Sequence, residues 1–415
     1  MAGIEGRGVS YDIARIRADF PALAVKPYGK PLIYLDNAAS AQKPRQVLER
    51  MREVYEHEYA NVHRGLHYLA NAATEAYEGG REKVRAFLNA PSADEIIFTK
   101  NATEALNLVA SSLGRAVGLK AGDEIVLSIM EHHSNIVPWN YWRESHGVTI
   151  KWAPVDEEGN FLLDAFEALL TERTKIVSVT QMSNALGTIV PVQEVCRIAR
   201  ARGIPVVVDG SQGAVHLPVD VQEIGCDFYA ITGHKLYGPS GIGALYGRRE
   251  WLERMPPFLG GGEMIRTVTE DGVSYGVPPH KFEAGTPPIV PAAGLGAALD
   301  YISALGKDAI KRHEDDLLAY ATERLSAINS IRILGMARNK GAILSFSFPN
   351  AHAHDIATVI DRYGVAVRAG THCTMPLLAR FGETATCRAS FGLYNTRDEV
   401  DALADALIRA QNLFS

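Results

Sequence analysis

Cysteine is scarce in this sequence: Cys196, Cys226, Cys373 and Cys387 are the only four among 415 residues, and none forms a C-x-x-C pair. Residues so few and so scattered build neither a disulfide framework nor a zinc knuckle, and a reducing cytoplasm suits them best. Long apolar runs are also missing, so no stretch is fit to span a bilayer. No charged-then-apolar leader marks the chain for export. No block of basic residues offsets the formal net charge of −6, which argues against nucleic acid as the main partner. Internal repeats and low-complexity tracts are lacking. The run Ile4-Glu-Gly-Arg7 resembles a protease-cleavage linker and is set aside.

What is present is the make-up of a globular protein, 47% hydrophobic and 22% charged, in a chain long enough for two or three domains. Apolar, β-branched runs at 95–98, 124–127, 149–152, 176–179, 205–208, 228–231 and 243–246 alternate with helical patterns. That alternation predicts an α/β fold with a mostly parallel seven-stranded sheet in a large domain. After residue 292 the pattern changes to a long helix, two strands at 331–334 and 342–346, and a last helix opened by the capping box Thr396-Arg-Asp-Glu399. These features predict a smaller α+β domain. The expected division is an N-terminal segment over 1–30 packing on the small domain, a large domain over 31–292 and the small domain over 293–415. The Gly- and Pro-rich stretch 258–288 reads as a long ordered excursion, neither helix nor strand.

Two residues organise the reading. Ile204-Pro-Val-Val-Val-Asp209 is a buried-strand pattern ending on a carboxylate. Phe228-Tyr-Ala-Ile231 leads into Thr232-Gly-His-Lys235 among glycines. Open α/β sheets bind ligands at such strand ends. A lysine and a carboxylate there suit an aromatic aldehyde with a basic ring nitrogen: the amine condenses with the aldehyde, and the carboxylate keeps the ring protonated and electron-accepting. The plainer alternative is that Asp209 caps a turn and Lys235 is a surface lysine.

The pair resembles that of the fold-type I enzymes that use pyridoxal 5′-phosphate (PLP), with the aspartate aminotransferase-like fold. The resemblance implies that Lys235 carries the cofactor and Asp209 pairs with its ring nitrogen. It further implies that Ala102, Thr103, Thr232 and His234 hold the phosphate, His132 stacks on the ring, and Asn184 and Gln212 reach its hydroxyl. Taken alone, Asn101 or Thr103 could simply cap the helix that follows, and His133 reads as structural. Thr286, in Glu283-Ala-Gly-Thr286-Pro, is implied to reach the phosphate of a neighbouring subunit, hence a homodimer with shared sites.

The choice of reaction rests on Arg368-Ala-Gly-Thr-His-Cys373-Thr-Met-Pro376 and on Arg388. A lone cysteine is most often a small buried hydrophobe, but this one lies on a polar loop. A guanidinium is a natural clamp for an α-carboxylate, and its plainer role is a surface ion pair. With Asn61-Val-His-Arg-Gly and Glu131-His-His added, nearly the whole chain resembles the group II (SufS/CsdA-type) cysteine desulfurases of aminotransferase class V. Thr371 and Thr374 depart from the residues common at those loop positions. The resemblance implies L-cysteine as substrate, bound by Arg388 and Asn184 with Arg368 nearby, and Lys235 moving the Cα proton. Cys373 takes the sulfur as a persulfide, and His132 handles thiol protons. It also implies a sulfur acceptor of SufE or SufU type feeding Fe–S cluster assembly. Selenocysteine lyase activity, class V transamination and a non-catalytic sulfur carrier are the alternatives. No metal is expected.

Overall fold

In a computed structural model of the chain the described residues are 11–414, so the linker-like run at 4–7 lies outside them. The seven runs of β-branched and apolar residues form one sheet. Its order is Ile96–Thr99, Gly243–Gly247, Phe228–Thr232, Val206–Asp209, Thr174–Thr180, Glu124–Ser128 and Thr149–Ala153. Only Gly243–Gly247 runs against its neighbours; the remaining pairings are parallel. Helices cover both faces, which is why the central strands are buried at every position. The two-residue period assigns the faces: Val206 and Val208 enter one core with Tyr77 and Tyr229, and Val207 enters the other with Leu106 and Leu113.

The helix Tyr68–Leu88 starts at Tyr68, where the His67 ring accepts the Ala70 N–H. It crosses Ile289–Leu305 closely at Gly80, where a Cβ would lie 2.5 Å from the Ala292 carbonyl oxygen. Ile289–Leu305 therefore runs through the division expected at 292/293, and Ile289, Leu295, Leu299 and Ile302 lie in the large-domain core. The chain turns by 76° after this helix, at Gly306, into Lys307–Ser326. The apolar stretch continues past 292 because that helix is buried on nearly every side.

The stretch 258–288 holds a hairpin, Ile265–Thr269 with Gly272–Tyr275, that the expected irregular excursion did not include. Its β-branched Thr267, Val268, Thr269 and Val273 flank the two-residue turn Glu270-Asp271. The surrounding glycines and prolines mask that pattern.

The smaller sheet has four antiparallel strands in the order Arg332–Leu334, Ile343–Ser347, Thr386–Ser390, Arg368–Gly370. The last two carry little β propensity and pair through tertiary context. Leu344, Phe346, Leu403 and Leu407 fill its core, and the Thr396 capping box opens the final helix. The segment from Tyr11 to Phe20 touches both domains. Arg17 pairs with Glu399 at 2.9 Å, while Phe20 packs against Tyr237, Tyr301 and Tyr394.

Candidate active site

The parallel strands aim their carboxyl ends at one cavity of about 310 Å³. Val206–Asp209 delivers Asp209, whose Oδ1 accepts from the Ser211 N–H at 2.9 Å and the Ser211 hydroxyl at 2.6 Å. Oδ2 takes no hydrogen bond from the described residues and is left for a ligand. Phe228–Thr232 delivers Thr232, and the next turn delivers Lys235. The amine of Lys235 lines the cavity without a hydrogen bond to the described residues. Burial pushes its pKa down to about 8, against the opposing charge of Asp209. Lys235 is thus no surface lysine, and Asp209 does more than turn the chain.

Opposite, the helix Ala102–Ala116 presents its N-terminus. Asn101 is the cap, its Oδ1 accepting from the Glu104 N–H at 2.9 Å. This frees Thr103, whose hydroxyl meets that of Ser134 at 2.7 Å. The Thr232 hydroxyl is buried without a hydrogen-bond partner, and His234 lines the same wall. An anion at this helix end would satisfy the orphaned hydroxyl.

His132 follows the strand Glu124–Ser128 and is fixed by Ser134: its Nδ1 accepts from the Ser134 N–H at 3.1 Å. The ring proton accordingly sits on Nε2. Burial, reinforced by Lys235, lowers its pKa to about 4, so at neutral pH the ring is uncharged and its Nε2–H is available as a hydrogen-bond donor. Gln212 donates Nε2 to the Ala38 carbonyl at 2.7 Å, and Asn184 donates Nδ2 to the His372 carbonyl at 2.7 Å. Each amide therefore keeps one N–H for a ligand.

The small domain supplies the far wall. Along Thr386–Ser390 the alternate residues Cys387 and Ala389 enter the small core, which turns Arg388 toward the cavity. Arg388 donates Nη1 to the Asn184 carbonyl at 2.8 Å and lies 3.4 Å from Asp36. Its Nε is buried and unpartnered. Burial, partly offset by Asp36, lowers its pKa to about 10. Arg368 stands at the mouth, half-exposed and paired with Asp36 at 2.7 Å. Asp36, Ser134, Ser211 and His372 were not singled out from the sequence. His372 stood within the Arg368–Pro376 run without a role of its own.

Cys373 is the one exposed cysteine of the four. It and His372 adopt φ of 56° and 51°, a left-handed conformation unusual for such residues. Burial pushes the Cys196 and Cys387 thiols up to about 12 and Cys226 well above its ordinary value, which leaves all three inert. Thr286 is not in the cavity; it is exposed, beside a separate depression with Phe258 and Glu283.

The aminotransferase class-V family profile matches residues 33–403. The chain belongs to that family. The cysteine desulfurase of Pectobacterium atrosepticum is 49% identical over 98% of this chain and 99% of its own length. A probable cysteine desulfurase of Streptomyces coelicolor is 51% identical over 97% of this chain and 98% of its own. The crystal structure of the cysteine desulfurase CsdA from Escherichia coli superposes with a TM-score of 0.90 at 40% identity, covering 97% of this chain and 99% of that one. Within aminotransferase class V the chain thus groups with the cysteine desulfurases, whose fold is that of fold-type I PLP enzymes and whose cofactor is PLP. The donors fit that cofactor: a free carboxylate oxygen, an unbound amine, an orphaned hydroxyl and a helix N-terminus surround one cavity.

The buried histidines also set an expectation for stability. Burial lowers His132 and His234 to about 4 and His372 to about 3. Between those values and about 6.5 the unfolded chain binds protons that the folded one refuses, so stability falls as pH drops through this window. Buried Glu131, raised to about 8, works the other way with a single proton, and three outweigh one. The melting temperature should therefore fall from pH 6.5 to pH 4.5, and His372→Gln should flatten that slope. A wild-type melting temperature unchanged across the window would refute the assignment.

Proposed function

We propose that the protein is a cysteine desulfurase that converts L-cysteine to L-alanine and keeps the sulfur on Cys373 as a persulfide. The observation that carries this is the placement of the single exposed thiol at the mouth of a cavity shared with Lys235, Asp209 and the unpartnered Nε of Arg388. Asp209 would face the ring nitrogen of PLP, Lys235 would hold its aldehyde carbon, and Thr232, His234, Ala102 and Thr103 would hold its phosphate. When bound, PLP supplies an electron sink for the Cα that loses its proton and for the cleavage of the C–S bond at the neighbouring Cβ.

The rest is done by the chain. Arg388 clamps the α-carboxylate through the donors it leaves free, with the spare N–H of Asn184 beside it and Arg368 guarding the entrance. The Lys235 amine, depressed to about 8, takes and returns the Cα proton near neutral pH. Cys373 Sγ attacks the substrate sulfur: an S–S bond forms as the C–S bond breaks, and the released pair ends on carbon with a proton. L-Cysteine plus one thiol becomes L-alanine plus one persulfide, with no outside oxidant. The proton of the attacking thiol ends on the substrate carbon, and uncharged His132 donates a hydrogen bond from Nε2 toward the reacting sulfur.

The wider setting belongs to the same proposal. The exposed persulfide passes to a protein acceptor of SufE or SufU type, supplying Fe–S cluster assembly in a reducing cytoplasm. Thr286, displaced from its own chain's cavity, serves the neighbouring site of a homodimer. L-Selenocysteine would use the same cofactor- and carboxylate-binding residues, with less need of Cys373.

Incubation with L-cysteine and a thiol reductant should yield alanine and sulfide in equal amounts. Sulfide accompanied by pyruvate instead would refute the reading. Conversion of the cofactor to its amine form by L-alanine would favour a transaminase, and a colourless protein with no borohydride-reactive adduct would favour a non-catalytic carrier.

A further inference from the structure

His132 and His133 are adjacent, yet their rings face different partners. His132 lines the cavity, whereas His133 grips the Cys373 loop at two points just after the thiol-bearing carbon. The His133 backbone N–H donates to the Cys373 carbonyl at 2.8 Å, and the His133 Nε2 accepts the Met375 N–H at 3.2 Å. Met375 opens the helix Met375–Arg380, whose N-cap Thr374 makes no side-chain capping bond and whose next residue is Pro376. The Met375 N–H is thus one of the unpaired donors that a helix start leaves, and His133 satisfies it from the other domain. An amide N–H can only donate, so His133 Nε2 is bare and its proton sits on Nδ1, the reverse of His132. Just before the thiol, Asn184 fixes the His372 carbonyl. The two left-handed residues, His372 and Cys373, are therefore held from the large domain at both carbonyls, and the helix that follows is held at its first amide. Left-handed backbone of this kind persists only where its surroundings hold it.

We propose that His133 is a positioning residue for the sulfur-transfer step: its ring acceptor caps Met375–Arg380 and thereby keeps Cys373 at its post over the cavity. The kinetic side of this rests on the desulfurase reading, but the placement of the thiol does not. The test compares His133→Ala with His133→Gln in the PLP-loaded enzyme, because glutamine carries an acceptor oxygen near the position of Nε2. The first readout is the rate of iodoacetamide alkylation at Cys373 without substrate, followed by peptide mass spectrometry. The other three cysteines are buried, so the label reports this loop.

One neutral hydrogen bond corresponds to roughly a three- to tenfold shift in loop population. Alkylation should therefore quicken by about that factor in His133→Ala, with kcat lower by a similar factor and KM for L-cysteine within about twofold of wild type. His133→Gln should return both quantities to within about twofold. An unchanged alkylation rate in the alanine variant, a glutamine variant that behaves like alanine, or a KM that rises as far as kcat falls would each overturn the proposal. A changed alkylation rate in a protein that never makes alanine would leave the pin standing and refute the activity instead.

Discussion

Lys235→Ala should lose turnover by roughly 10²–10⁴-fold or more, since it removes the amine proposed to move the substrate Cα proton. Low pKa alone does not single Lys235 out. Lys43 and Lys340 are also lowered to about 8 and Lys307 to about 7, each by burial. Those amines are occupied: Lys43 donates to the His234 carbonyl at 3.1 Å, Lys340 to that of Gly335 at 2.6 Å and Lys307 to that of Val215 at 2.6 Å. The Lys235 amine alone among them is unbound and faces the cavity, so it is free to condense with an aldehyde. Borohydride treatment of the wild-type holoenzyme should fix the cofactor to the peptide containing Lys235 and nowhere else. Substantial activity in the alanine variant, or a label on another lysine, would remove the basis of the functional reading.

Cys373→Ala should abolish alanine and sulfide formation from L-cysteine. No other thiol can replace it, because Cys196, Cys226 and Cys387 are buried in the two domain cores with raised pKa values. The change should scarcely affect the melting temperature: the side chain is exposed, and alanine meets the left-handed φ as cysteine does. L-Selenocysteine provides the control. A selenolate is a better leaving group than a thiolate and has less need of a nucleophile, so deselenation should largely survive in the same variant. Equal loss of both activities would mean that residue 373 shapes the site and does not attack the substrate.

The strands of the large sheet were legible because their signal is local: a short β-branched run ending on Asp209 or Thr232 needs no partner to be seen. Lys235, Asp209 and Cys373 could be read for the same reason, each lying within a compact pattern of neighbours. What the sequence concealed depends on distant contacts. Asp36 gains its meaning from Arg368 and Arg388, over three hundred residues away. Ser134 matters because Thr103 and His132 meet at its hydroxyl. His133 gains its partner, the Met375 N–H, from more than two hundred residues away. The hairpin Ile265–Thr269 with Gly272–Tyr275 was hidden by the composition around it, and the helix Ile289–Leu305 by being apolar on nearly every side.

The distribution of sulfur atoms carries one more implication. A sulfane adduct beside a second accessible mercaptan collapses: the two side chains cross-link, and the cargo escapes as hydrogen sulfide. Walling off three of the four sulfhydryls leaves no internal group to spring that trap, so discharge waits for a visitor from outside the chain.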